Sequence, residues 1–202
     1  YGTPAEETLG SKCDMIKKGC FHDLDVAFMM HGGPNTCTDV RCLAQRSFHV
    51  TFHGKRAHAA LAPDKGRSAF DALLAAFQGI EFLREHVPDD VRMHYTVAKL
   101  PGPANVVPAE AEGEFAIRSF SRKTLEGVCE RFLDIIKGAS LIAGVDYEIK
   151  EGTFFFNKIP VLKLNELLMN NAKLAGAPQL APPREKTGST DFGNVMYEIP
   201  GS

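Results

Sequence analysis

Ser47-Phe48-His49-Val50-Thr51-Phe52-His53 decides the fold. Phe48, Val50 and Phe52 project to one side and His49, Thr51 and His53 to the other, the period of two that a strand with one buried face requires. Downstream, residues 54–66 hold Pro63, Asp64 and Gly66 as turn formers. Ala69, Leu73, Ala76, Ile80, Leu83 and Val87 then recur at three- and four-residue spacing, which predicts an amphipathic helix ending before Pro88. A second strand is predicted over 91–100, with Met93, Tyr95 and Val97 against His94 and Thr96. Pro101-Gly102-Pro103 ends it, and a third strand over 110–120 sets Phe115 and Ile117 against Glu114 and Arg118, antiparallel to the second. Ser121 is the expected N-cap of a second helix whose stripe is Leu125, Val128, Phe132, Ile135 and Ile136, closing near Gly144. The fourth strand, over 145–156, places Tyr147 and Ile149 opposite Asp146, Glu148 and Lys150.

This βαββαβ order predicts a ferredoxin-like sandwich, two helices on one face of a four-stranded sheet. The other face collects His49, Thr51, His53, His94, Thr96, Glu114 and Arg118, and is either solvated or reserved for a partner or ligand. The flanks differ. Residues 1–44 hold an acidic turn, a short helical stretch over 12–19 and a buried-strand-like run over 26–30. Residues 157–202 hold one helix over 161–174, a Pro-rich linker and Gly188-Ser189-Thr190-Asp191. The expected organisation is α/β with an α+β insert. Residues 45–156 form the inserted domain, and 1–44 and 157–202 are two parts of a host domain, neither with a core of its own.

Composition bounds the function. The chain has 202 residues, 44% hydrophobic and 24% charged, which excludes disordered and fibrous classes. Lys and Arg number 23 against 25 Asp and Glu, so no basic excess calls for nucleic acid or an anionic membrane. No apolar run reaches the roughly 18 residues of a membrane helix. Cys13, Cys20, Cys37, Cys42 and Cys129 are odd in number and include no CxxC pair, which fits a reducing, cytoplasmic setting better than a disulfide framework. The chain begins at Tyr1 and stops at Pro200-Gly201-Ser202 in what reads as a loop, so it reads as a piece of something longer.

Four constellations can carry chemistry. In Gly2-Thr3-Pro4-Ala5-Glu6-Glu7 adjacent carboxylates point different ways, so one can ligate a metal while the other acts as a base; a solvated pair at a helix start is the plainer reading. The run Asp25 to His31 delivers a His at a strand end beside Gly32-Gly33, as a metal ligand or as a satisfied structural His. His58 stands among small residues in Gly54-Lys55-Arg56-Ala57-His58-Ala59-Ala60, approachable or simply on a surface loop. Asn105 and Arg118 can jointly hold a carboxylate, since a guanidinium binds one at two points and an amide adds a directed donor.

Taken in order with Gly188-Ser189-Thr190-Asp191-Phe192-Gly193-Asn194, these elements resemble the metal-dependent amidohydrolases of metallopeptidase family twenty over nearly the whole chain. The last run is most similar to the aminobenzoyl-glutamate hydrolase and peptidase-domain dipeptidase branch. The resemblance implies a catalytic α/β domain with two divalent metal ions, usually zinc, with manganese or cobalt as alternatives. It also implies a ferredoxin-like lid through which the protein forms a homodimer, and a small amide substrate with a free carboxylate. By the same resemblance Glu6 is the general base and Glu7 and His31 are metal ligands. His58 steadies the oxyanion in the partner subunit's site, and Asn105 and Arg118 hold the substrate carboxylate. Asp191 receives no role. The family's His is usually followed by Pro, whereas His31 precedes Gly32-Gly33. The motifs that bring the remaining metal ligands fall before Tyr1 and after Ser202, so the 202 residues alone are expected to be metal-free and inactive. The competing expectation is a non-catalytic dimerisation or small-molecule-binding module.

Overall fold

The strand predicted over 47–53 is β1 (Ala44–His53), with Ala44, Phe48, Val50 and Phe52 buried. The computed structural model describes residues 1–3, 10–185 and 187–202. α1 (Ser11–Lys17) precedes β1, and β2 (Ala57–His58) and a short 3-10 turn follow it. α2 (Ala69–Arg84) starts at Ser68, whose hydroxyl accepts the Asp71 N–H at 3.1 Å. It stops three residues short of Val87 because the residue before a proline is pushed out of the helical region, and His86 bonds back to Leu83 as the chain leaves the helix. β3 (Arg92–Lys99), β4 (Val106–Val107), β5 (Glu110–Ser119), α3 (Arg122–Ala143) and β6 (Asp146–Phe155) complete the middle of the chain.

The sheet order is β3-β5-β1-β6, with β3 and β6 at the edges, which is the ferredoxin-like arrangement the element order implies. β3 and β5 are antiparallel, pairing Met93 with Ile117 and Tyr95 with Phe115. Val97, expected on the apolar face, is instead exposed. It lies on an edge strand where the ladder shifts register between Val97 and Lys99.

One unit of the chain comprises Arg46–Arg118 and Lys123–Thr153. Its core is an aromatic row: Phe132 of α3 packs on Phe48 at 4.8 Å and on Phe115 at 5.1 Å, and Phe115 continues to Phe77 of α2, which stacks on Tyr95. The helices meet at Gly79, where a Cβ would lie 2.6 Å from the Ile135 side chain. That close approach explains a glycine in the interior of α2, where it otherwise costs helix stability.

The other unit comprises Tyr1–Gln45, Ser119–Arg122 and Phe154–Ser202. Phe21 packs with Phe192, Val195 and Met196, so both flanks contribute to one apolar cluster. Its helices are α1, α4 (Leu162–Leu174) and α5 (Phe192–Val195). The run over 26–30 is extended and pairs with the segment 200–202. Ala27 makes a single parallel bridge to Gly201, and only Ala27 and Met29 face the cluster. Val26, Phe28 and Met30 are turned away from the cluster, Met30 at 97% exposure. Asp39 ties three segments together: its carboxylate accepts from Arg184 Nε at 2.7 Å and Lys158 Nζ at 3.0 Å, and its carbonyl accepts from Asn165 Nδ2 at 3.3 Å. Burial pushes the Asp39 carboxyl up, but the two cations outweigh it and hold the group below the usual carboxylate range.

Two outcomes follow. Phe132→Ala removes a side chain with no solvent exposure from between two rings and should cost about 3–5 kcal/mol in denaturant unfolding. Because the folded pKa of Asp39 is depressed, its contribution is present above the unfolded carboxylate pKa and lost as pH falls through it into the acid range. An Asp39→Asn variant should therefore melt lower than the parent at neutral pH, with the gap closing in acid.

Candidate functional site

The chain leaving β1 meets Gly54, which has no room for a side chain: a Cβ there would run into the Arg67 carbonyl oxygen. Lys55 and Arg67 exchange backbone hydrogen bonds at 2.8 and 2.9 Å, and Gly54 N–H bonds Ala109 O at 2.8 Å. This close layering carries residues 55–58 alongside the segment before β5. β2 then pairs with β4, Ala57 opposite Val107 and His58 opposite Val106. Gly66 packs beneath, where a Cβ would lie 2.9 Å from Val107 and 3.0 Å from Ala57. The two-residue ribbon brings His58 and Asn105 together, since Ala59 N–H donates to Asn105 O at 3.0 Å.

His58 is exposed, and its ring is oriented by the backbone. The N–H groups of Ala60 and Leu61 both reach Nδ1 at 3.3 Å. A nitrogen accepting two N–H donors carries no proton, so the neutral ring holds its hydrogen on Nε2 and presents a donor outward. Asn105 is exposed beside it. Arg118 sits near the end of β5 opposite Arg92. Its Nε is buried without an acceptor, whereas Arg92 donates to the carbonyls of Asp89 and Val91.

His31 lies in the other unit, exposed at the end of the 26–30 run. Its Nδ1 is 2.8 Å from the Gly32 carbonyl oxygen, which can only accept, so Nδ1 carries the proton and Nε2 offers a lone pair. That is the form in which a histidine ligates a metal. Glu6 and Glu7 lie outside the described residues. Among the described residues no three His, Cys, Asp or Glu side chains converge where a metal ion could be held. The described residues thus bring one donor of fitting chemistry and not a metal site.

The polar sheet face is a groove of about 640 Å³ lined by Ser47, His49, His94, Thr96, Glu114 and Lys150 among others. Next to it, His49 Nε2 is 3.1 Å from Glu112, and Lys99 is 3.2 Å from Glu112 and 2.6 Å from Glu110. Sequence reasoning left Lys12, Asp191 and Asn194 without partners. They bond across 179 and 40 residues of chain, a separation that no local pattern announces.

Residues 45–141 match the family described as Peptidase dimerisation domain. Over 204 aligned residues the chain is 31% identical to the Xaa-Arg dipeptidase of Homo sapiens, covering 99% of this chain and 47% of that one. It is 32% identical over 185 residues to one of the p-aminobenzoyl-glutamate hydrolase polypeptides of Escherichia coli K12, covering 89% of this chain and 38% of that one. Among solved structures it resembles a Bacillus subtilis protein described as a dinuclear metal binding peptidase from the M20 family. There the TM-score is 0.66 and the identity 20%, over 98% of this chain and 52% of that one. The chain spans about half the length of the curated relatives it matches. With the ferredoxin-like sheet, the His58 ribbon and this likeness running almost end to end, the chain belongs to metallopeptidase family twenty, the M20 family, and carries its dimerisation domain.

Proposed function

We propose that this chain is part of a metal-dependent amidohydrolase that cleaves the amide bond of an N-acyl amino acid, an aminobenzoyl-glutamate-like conjugate or a dipeptide. The observation that carries this reading is His58, held by two backbone N–H groups so that Nε2–H faces outward as a preorganised donor. The dipeptidase and hydrolase relatives support the reaction class. In this reading Glu7 and His31 are two ligands of a divalent pair, zinc before manganese or cobalt, whose other ligands lie outside these 202 residues. When bound, such ions supply Lewis acidity to the scissile amide and to water. Glu6 takes the proton of the attacking water and delivers it to the leaving nitrogen. His58 reaches the oxyanion in the partner subunit's site. The Asn105 amide and the Arg118 guanidinium hold the substrate carboxylate.

Residues 45–156 act as the lid and pair two copies of the protein. On α2, Leu74 and Phe82 are exposed at 49% and 67%, and β3 is an edge strand of the sheet. Exposed apolar side chains and an unpaired strand edge both suit a second copy better than solvent. The five cysteines, all free thiols, favour a reducing, cytoplasmic setting. Among the described residues no helix is long and apolar enough to cross a membrane.

The test uses the longer protein that contains these residues, supplied with zinc or manganese and assayed on such amides. Glu6→Gln should lower kcat about 10²–10⁴-fold, and His58→Ala about 10²–10³-fold. Absence of turnover with every metal, or turnover indifferent to Glu6→Gln, would favour the non-catalytic binding module. Sedimentation should give a dimer, and Phe82→Asp should shift it to monomer. A monomeric parent would remove the lid's pairing role.

A further inference from the structure

Residues 54–67, the chain between β1 and α2, hold Lys55, Arg56, Lys65 and Arg67 against Asp64 alone, although the whole chain carries a net charge of -2. Positive charge is therefore concentrated on the loop that presents His58. Residues 101–108, which contain β4, have no charged side chain to offset it. All four cations are exposed, but they are not equally committed. The Arg67 guanidinium donates to the carbonyl oxygens of Gly66 at 2.6 Å and Asp64 at 3.2 Å. The side chains of Lys55, Arg56 and Lys65 make no hydrogen bond or ion pair among the described residues.

Arg56 also lies on the His58 side of the ribbon. A Cβ on Gly66 would lie 3.0 Å from Ala57 Cβ and 2.9 Å from Val107, so this register pair packs its side chains onto Gly66. Side chains alternate along extended backbone, which turns the residues on either side of Ala57, Arg56 and His58, to the open face. Both are exposed there. Two residues apart on one face, they are separated at the backbone by about 6–7 Å, within the span of one small molecule. An exposed cation contributes little on its own in water. Beside a bound molecule that displaces the water it discriminates, because a carboxylate gains a charge-assisted, two-point hydrogen bond and a second cation is repelled.

We propose that Arg56 is a specificity residue: it selects amides of an acidic amino acid, glutamate or aspartate, by taking the side-chain carboxylate while Asn105 and Arg118 take the α-carboxylate. The inference rests on the amidohydrolase reading and narrows its substrate. Arg56 travels on the same ribbon as His58 and enters whichever site that histidine serves. Lys55 and Lys65 add to the attracting field without a fixed contact.

The experiment uses the longer protein that contains these residues, with metal supplied, and reads kcat and KM on N-acetyl glutamate, N-acetyl glutamine and N-acetyl arginine. Glutamate and glutamine differ in charge and hardly in shape, so the ratio of their kcat/KM values isolates the second carboxylate. The parent should favour glutamate over glutamine by about 10-fold or more, with arginine last, and the preference should shrink as added salt screens it. Arg56→Ala should bring the glutamate-to-glutamine ratio close to one, Arg56→Lys should retain it in part, and Arg56→Glu should put arginine ahead of glutamate. Arg56 is exposed, so these variants should melt with the parent, and a ratio is indifferent to any general loss of active protein. A parent active on amides but without preference for glutamate overturns the proposal and leaves the amidohydrolase reading standing, and so does a preference that survives Arg56→Glu. A parent that hydrolyses neither these amides nor a dipeptide overturns the amidohydrolase reading and the selection with it.

Discussion

Phe132 lies between Phe48 and Phe115, on neighbouring strands, and the rest of the sandwich follows from that packing. A ring with no solvent exposure can be covered only if β1 and β5 both turn their apolar alternates toward α3. Once they do, the pleat sends His49, Thr51 and His53 of one strand, and Glu112, Glu114 and Arg118 of the other, to the opposite face. A slip of one residue in either strand would bury charge and expose phenylalanine, so the register is strongly determined. Functional groups are thereby confined to the polar face, to strand ends and to the loops that leave them.

The same constraint explains what was legible in the sequence. The four long strands and the two helices of the sandwich were readable because periods of two and of 3.6 are properties of the backbone, and each element has one face committed to a single core. Legibility fell where that commitment is weak. Residues 26–30 have the composition of a buried strand, and among the described residues they pair only with Pro200 to Ser202, with Ala27 and Met29 on the apolar cluster. Val97 fits the alternation but lies at a register shift on an edge. The β2–β4 ribbon was invisible to pattern reading, since two-residue strands carry no period. What forms the ribbon is the absence of a side chain at Gly54 and Gly66.

The candidate site divides along the same line. The types and spacing of His31, His58, Asn105 and Arg118 could be read directly, and the ribbon does bring His58 beside Asn105. The partners that give these side chains their chemistry are mostly main-chain atoms, which every sequence has and none advertises. The ties of Asp191 and Asn194 were hidden for a different reason: their partners are remote, and a single sequence holds no record of which distant residues meet.

The two histidines show how much such anonymous atoms decide. His31 and His58 are chemically identical, both exposed and both beside small residues. At His31 a backbone carbonyl takes the proton side of Nδ1, leaving Nε2 with a lone pair. At His58 two backbone N–H groups occupy the lone-pair side of Nδ1, leaving Nε2 with the hydrogen. One ring therefore presents a lone pair and the other a hydrogen-bond donor. Exchanging those local backbone contacts would exchange the two tautomers without altering a single histidine. The difference thus resides in the turns that follow each residue: Gly32, which can fold its carbonyl back, and Ala60 and Leu61, whose N–H groups converge on one nitrogen.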